Sequence, residues 1–79
     1  MKLPRDVSAQ DLIKASKKLG YEVTRQTGSH IRLTTHKNGT HHITIPNHAP
    51  IKIGTLSAIL SDMAIHFKVS KDEIIQQLF

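Results

Sequence analysis

The chain has 79 residues, no cysteine and a formal net charge of +5. Its length is that of a single small domain, 1–79, with a thin core. The absence of thiols excludes disulfides and thiolate chemistry, and it fits a reducing compartment. No apolar run approaches the roughly 18 residues that a bilayer span needs, and residues 1–6 lack the apolar stretch of a signal peptide. A cytoplasmic protein is therefore expected.

Basic residues are concentrated in the first two thirds of the chain. Up to Lys52 there are nine Lys and Arg against three Asp and Glu, and from Ile53 onward there are two against three. Such a positive region predicts an anionic partner, and nucleic acid fits it better than a membrane surface. Many small basic domains are simply well solvated, so the charge alone leaves both interpretations open.

The first predicted element is an amphipathic helix. Ser8 is a good N-cap, and Asp11 stands where the acid of a capping box belongs. Apolar residues then recur at helical spacing while the lysines lie off that face. Gly20 is placed to end the helix in the left-handed conformation.

Three strands are predicted next, because apolar and polar residues alternate around two glycine-containing turns. A three-residue loop at residues 37–39 pairs Leu33 with Ile43, and the same logic at residues 26–28 pairs Val23 with Ile31. The predicted buried face carries Tyr21, Val23, Ile31, Leu33, Ile43 and Ile45. The predicted open face carries Thr24, His30, Arg32, Thr34, His42 and Thr44.

Two further helices complete the predicted order. Residues 46–54 suggest a loop, Thr55 is a plausible N-cap of the second helix, and Ser70 with Glu73 suggests another capping box before a short third helix. The expected fold class is α+β, with a three-stranded antiparallel sheet covered on one face by helices.

Most site chemistries do not fit the sequence. Six histidines suggest zinc, but His41 and His42 are adjacent, so their rings point to opposite faces of a strand. No HExxH motif, nucleophile elbow or phosphate-binding glycine loop is present. We therefore expect neither a metal nor another cofactor.

His30 is the strongest catalytic candidate. It follows a glycine turn, begins the predicted middle strand and points to the open face with Arg32. An imidazole titrates near neutrality and can give or take a proton in phosphodiester cleavage, while an arginine holds the phosphate. The residues alone also allow a solvated strand histidine. His36, His41, His42 and His66 are interpreted as solvated or packing residues.

Several motifs in order resemble the HicA-type mRNA interferase toxins. The resemblance covers roughly residues 6–64. It rests on Leu19-Gly20-Tyr21, Gly28-Ser29-His30, an Asn-Gly hairpin, Pro46-Asn47-His48 and Gly54-Thr55-Leu56.

This resemblance implies an α-β-β-β-α fold like that of double-stranded-RNA-binding domains and metal-independent cleavage of mRNA. It implies that His30 is essential and that a HicB antitoxin covers the active site. Ser29 and His48 are possible auxiliary residues. The candidate RNA-binding residues are Lys14, Lys17, Lys18, Arg25, Arg32, Lys37 and Lys52.

Two alternatives remain open at the level of the sequence. The chain can be a non-catalytic module that binds double-stranded RNA through its shape and 2′-hydroxyls. It can also be a protein-interaction module whose open sheet face binds another protein, in which case RNA binding should be absent or insensitive to salt.

Overall fold

The computed structural model describes residues 3–79 and confirms the predicted α+β order. The elements are α1 (Ala9–Ser16), a 3-10 turn (Lys17–Leu19), β1 (Glu22–Thr27), β2 (His30–Thr35), β3 (His41–Pro46), α2 (Ile53–Phe67) and α3 (Lys71–Leu78). The antiparallel sheet has the strand order β1-β2-β3, so β2 lies in the centre.

The capping box of α1 is confirmed. The Ser8 hydroxyl accepts the backbone N–H of Asp11 at 3.0 Å, and the Asp11 carboxylate accepts the backbone N–H of Ser8 at 3.1 Å. The helix tightens into the 3-10 turn, and Gly20 ends it with φ at 82°. This left-handed residue turns the chain into β1 without the steric penalty that a Cβ carries there.

The hairpin between β2 and β3 has the predicted pairing. Leu33 pairs with Ile43 and Ile31 pairs with Ile45. Asn38 and Gly39 supply the positive φ angles of the turn, at 56° and 94°. Both pairs place their apolar side chains on the face that the helices cover.

The predicted pairing between β1 and β2 is wrong. Thr27 pairs with His30, so the turn holds only Gly28 and Ser29, and Val23 pairs with Leu33 instead of Ile31. A β-bulge between Val23 and Arg25 absorbs the extra residue. Gly28, with φ at 56°, makes this tighter turn possible.

The core lies between the sheet and the helices. Tyr21 is fully buried as predicted, whereas Val23 is 47% exposed. Val23 belongs to an edge strand in which every residue is exposed, so the helices do not cover it. Fully buried side chains at the centre of the core include Leu12, Leu33, Ile45, Leu56, Leu60, Met63 and Ile74.

The second and third helices extend this core. Helix α2 begins at Ile53 after an extended Lys52, and not at Thr55 as predicted. In α3, Ser70 accepts the N–H of Glu73 at 3.1 Å, and Ile74, Ile75 and Leu78 are buried. The third helix is therefore a structural part of the domain. Within residues 3–79 no helix has the length and apolarity to cross a membrane.

Gly20→Ala should destabilise the fold by about 2–3 kcal/mol. The left-handed conformation alone costs roughly 1–2 kcal/mol for a residue with a Cβ. The new methyl would also lie 2.8 Å from Thr35 Oγ1, whose hydroxyl donates to the Leu19 carbonyl. Urea denaturation measures the change.

Gly28→Ala is the matched control, because Gly28 also has a positive φ but nothing lies within 4 Å of a Cβ added there. We expect it to lose only the conformational part, about 1 kcal/mol. Equal losses in the two variants would show that the Thr35 contact adds nothing.

Candidate active site

An open depression lies on the sheet face that the helices leave uncovered. Its lining residues are Arg25, Thr27, His30, Arg32 and Thr44, which come from all three strands. Each of these residues is exposed. The depression therefore combines one imidazole, two guanidinium groups and two hydroxyls at a surface that solvent reaches.

The position of His30 follows from strand alternation. Ile31 and Leu33 are buried at 2% and 0% exposure, so their neighbours His30 and Arg32 point to the opposite face. His30 pairs with Thr27 on one side and with Pro46 on the other. The structure thus places His30 and Arg32 on the open face, as the sequence predicts.

The bulge in β1 brings Arg25 into the depression. Arg25 pairs directly with Arg32 across the two strands. In the predicted register Thr24 points to the open face. Arg25, its neighbour in the strand, would therefore point to the opposite face. Like charges that lie directly opposite on neighbouring strands destabilise a sheet. Within residues 3–79 neither arginine forms an ion pair, so this pair is available to an anion.

The loop after β3 is tied closely to the start of β2. The Asn47 N–H donates to the Ser29 carbonyl at 2.6 Å, and the His48 carbonyl accepts the N–H of Ala9 in α1 at 2.9 Å. The backbone of this loop is therefore fixed near His30. The side chains of Ser29 and His48 are exposed, but they do not line the depression.

The lysines predicted to bind RNA are dispersed. Lys14 and Lys18 border a second groove with Asp11 and Phe79, and Lys18 Nζ donates to the Leu78 carbonyl at 3.1 Å. That groove belongs to the helical layer. Lys17 is exposed in the 3-10 turn, Lys37 in the β2–β3 turn and Lys52 just before α2. The structure does not place these lysines with His30.

The sequence prediction missed Thr27 as a lining residue. Assigning it to a three-residue turn removed it from the strand, whereas the structure pairs it with His30. A Gly-Ser pair is a good two-residue hairpin turn, so Gly28 and Ser29 carried the signal that could have corrected the register.

The histidines on the other side of the sheet have a packing role. His41 Nδ1 lies 2.7 Å from the Tyr21 hydroxyl, its Nε2 lies 3.4 Å from Asp62, and its ring stacks on His66 at 4.4 Å. Burial, aided by the Asp62 carboxylate, raises the pKa of Tyr21 above its ordinary value. The neutral phenol donates to His41 Nδ1 when the Nε2–H of His41 points at the Asp62 carboxylate, which can only accept. Within residues 3–79 no group of three or more potential ligands could hold a metal ion.

Removing one of the paired arginines should not weaken the fold. Arg25→Gln or Arg32→Gln relieves a like-charge cross-strand pair, so the free energy of unfolding should rise by about 0.2–1 kcal/mol at low salt. The gain should shrink as salt screens the repulsion. Denaturant melts at two salt concentrations measure it.

Arg5→Gln is the matched control, since Arg5 is exposed and lies outside the sheet. The loss of one positive charge at this position should not produce the salt-dependent gain in the free energy of unfolding. If the three variants shift stability equally, the effect comes from net charge and not from the Arg25–Arg32 pair.

The depression places the imidazole of His30, a group that can give or take a proton, beside the guanidinium groups of Arg25 and Arg32, which can hold an anion. The family model described as HicA toxin of bacterial toxin-antitoxin matches residues 9–65. Searches of curated proteins and of solved structures found no match. The family match spans α1, all three strands and most of α2, and it includes every residue of the depression. The chain belongs to the HicA toxin family of bacterial toxin-antitoxin systems.

Proposed function

We propose that this toxin is an endoribonuclease that cleaves mRNA without a metal ion, with His30 as its catalytic acid or base. The observation that supports the proposal is the position of His30 in one depression with Arg25 and Arg32. A phosphodiester held by the two guanidiniums would lie next to the imidazole. Arginine suits this task because its planar fork can donate two parallel hydrogen bonds to phosphate oxygens.

RNA brings its own nucleophile to this reaction. The 2′-oxygen attacks the adjacent phosphorus, the bond from phosphorus to the 5′-oxygen breaks, and a 2′,3′-cyclic phosphate and a 5′-hydroxyl form. One proton leaves the 2′-hydroxyl and one reaches the departing 5′-oxygen. His30 performs one of these two transfers, while the arginines stabilise the negative charge that grows on the phosphate.

Ser29 and His48 remain proposed auxiliary residues. The hydrogen bond between Asn47 and Ser29 holds both residues close to the end of the sheet where His30 begins β2. A bound RNA strand that extends past His30 would meet this loop. His48 is then the next candidate for the second proton transfer.

The family also implies an antitoxin partner. We propose that this partner is an acidic, HicB-like protein that covers the depression. Charge complementarity supports the proposal, because the exposed arginine pair has no acidic partner within residues 3–79. Covering His30 would block access of cytoplasmic mRNA.

His30→Ala should abolish RNA cleavage and leave the fold intact. The side chain is exposed, so its loss leaves no core cavity and should change stability by roughly 0.5 kcal/mol or less. Loss of a positioned general acid or base costs about 10²- to 10⁴-fold in rate. Cleavage of labelled RNA in EDTA, with thermal melts alongside, measures both effects.

His36→Ala is the matched control. His36 is an exposed histidine in the turn after β2, where its Nδ1 lies 3.1 Å from the Thr40 hydroxyl. It should cleave like the wild type. If His30→Ala melts normally and keeps more than about a tenth of the activity, His30 is not the catalyst. Salt-dependent RNA binding without cleavage by the wild type would instead favour a non-catalytic RNA-binding module.

The salt dependence of RNA binding should identify the cations that contact phosphates. Each phosphate contact with a single strand contributes about 0.7 to the slope of log affinity against log salt. Because both arginines are proposed to hold one phosphate, changing Arg25 and Arg32 together to Gln should reduce the slope by about 0.7. The triple change of Lys14, Lys17 and Lys18 to Gln should reduce it less, because Lys14 and Lys18 border a different groove.

One result of comparing the salt slopes of these two variants would contradict the proposal. If the lysine variant loses more slope than the arginine variant, the RNA path crosses α1 and the arginines do not hold the backbone. The titrations use one single-stranded RNA and the His30→Ala background, so that cleavage does not distort them.

A further inference from the structure

A chain of three hydrogen-bonded side chains crosses the open face next to the depression. Thr24 Oγ1 lies 2.8 Å from Thr34 Oγ1, and Thr34 Oγ1 lies 2.8 Å from His42 Nδ1. Each side chain comes from a different strand. We infer that His42 is a second RNA contact, whose Nε2 forms a hydrogen bond with the 2′-hydroxyl of a nucleotide next to the cleaved one; this inference rests on the proposed function.

Thr34 holds the His42 ring by its Nδ1, and Thr24 continues the chain on the other side of Thr34. The 3.5 Å from Thr24 Oγ1 to the Arg32 carbonyl is longer than an ordinary O–H···O bond, so it does not fix the direction of the protons. In the neutral ring His42 Nε2 therefore faces a ligand as a donor in one tautomer and as an acceptor in the other.

The two adjacent histidines differ in what they leave free. Both ring nitrogens of His41 face protein groups, Tyr21 and Asp62. His42 is exposed, and within residues 3–79 its Nε2 has no hydrogen-bond partner. Its orientation is fixed by Thr34, which is only 6% exposed although it lies on the open face. His42 is therefore an oriented hydrogen-bonding group at the surface and not a freely rotating side chain.

His42 lies too far from His30 to act on the same phosphate. It pairs with Thr34, which stands four residues beyond His30 along β2. At about 3.3 Å per residue the two positions are roughly 13 Å apart. The paired arginines lie between them. An RNA strand that follows β2 would thus meet His30, then the arginines, and then His42 at a different nucleotide.

The 2′-hydroxyl is the RNA group that fits this nitrogen in either tautomer. It can donate and accept a hydrogen bond, it is present on every nucleotide, and DNA lacks it. Phosphate oxygens are acceptors only, so they fit the tautomer with a proton on Nε2 alone. The contact would therefore help the protein distinguish RNA from DNA away from the cleaved bond, without reading the base sequence.

The test uses a short RNA that the wild type cuts at one mapped position. Single 2′-deoxy substitutions are placed at each flanking nucleotide in turn, and the cleaved nucleotide keeps its 2′-hydroxyl. At one flanking position the substitution should lower kcat/KM of the wild type about threefold to tenfold, the range for one net hydrogen bond. His42→Ala should lose a similar factor on the all-RNA substrate and show no further loss with that substitution.

Two further variants keep the result interpretable. His36→Ala should respond to every 2′-deoxy substitution like the wild type. If His42→Ala melts early, His42→Asn replaces it, because the shorter amide can still hydrogen-bond Thr34 but does not reach the position of Nε2. If the wild type and His42→Ala show the same penalty at every flanking position, the second contact is disproved and cleavage by His30 stands. If the wild type cuts no RNA, both proposals fail.

Discussion

The bulge at Thr24 is the constraint on which the open face depends. Pairing outward from the tight Gly28–Ser29 turn puts Arg25 opposite Arg32, whereas burial of Tyr21 requires the start of β1 to keep its own alternation. Regular pairing cannot meet both demands, because a strand alternates strictly with a period of two. One extra residue shifts the alternation by one and satisfies both. The same residue, Thr24, then hydrogen-bonds Thr34, which in turn hydrogen-bonds His42 on the third strand.

The central strand was predictable, while the edge strand was not. In β2 the apolar residues Ile31 and Leu33 alternate with polar ones, and their burial fixed the orientation of His30 and Arg32. The pairing of Leu33 with Ile43 followed for the same reason. In β1 all residues are exposed, so burial imposed no register, and the choice between two turn lengths was open. The hydrogen bond between Thr24 and Thr34 depends on that register, and no local sequence pattern indicates it.

The two faces of the sheet use histidine differently because they differ in solvent access. On the covered face, His41 lies between Tyr21 and Asp62 and stacks on His66, which accounts for its polar atoms. His66 Nε2 in turn donates to the Lys37 carbonyl at 2.9 Å, and Asn38 donates to the His66 carbonyl at 2.9 Å. These bonds fasten the β2–β3 turn to α2. Among residues 3–79 no helix covers the open face, so its histidines are available to a ligand.

The loop after β3 is connected to the beginning of the chain as well as to the sheet. Besides the bond between Ala9 and His48, the Ile51 N–H donates to the Val7 carbonyl at 2.7 Å. Val7 and Ile51 are both buried, at 5% and 3% exposure. The segment before α1 and the loop beside His30 therefore form one cooperative unit, in which neither can open without breaking bonds to the other. A partner that pulled on residues 3–8 would therefore break the bond between Val7 and Ile51 that helps to hold this loop, without touching the sheet.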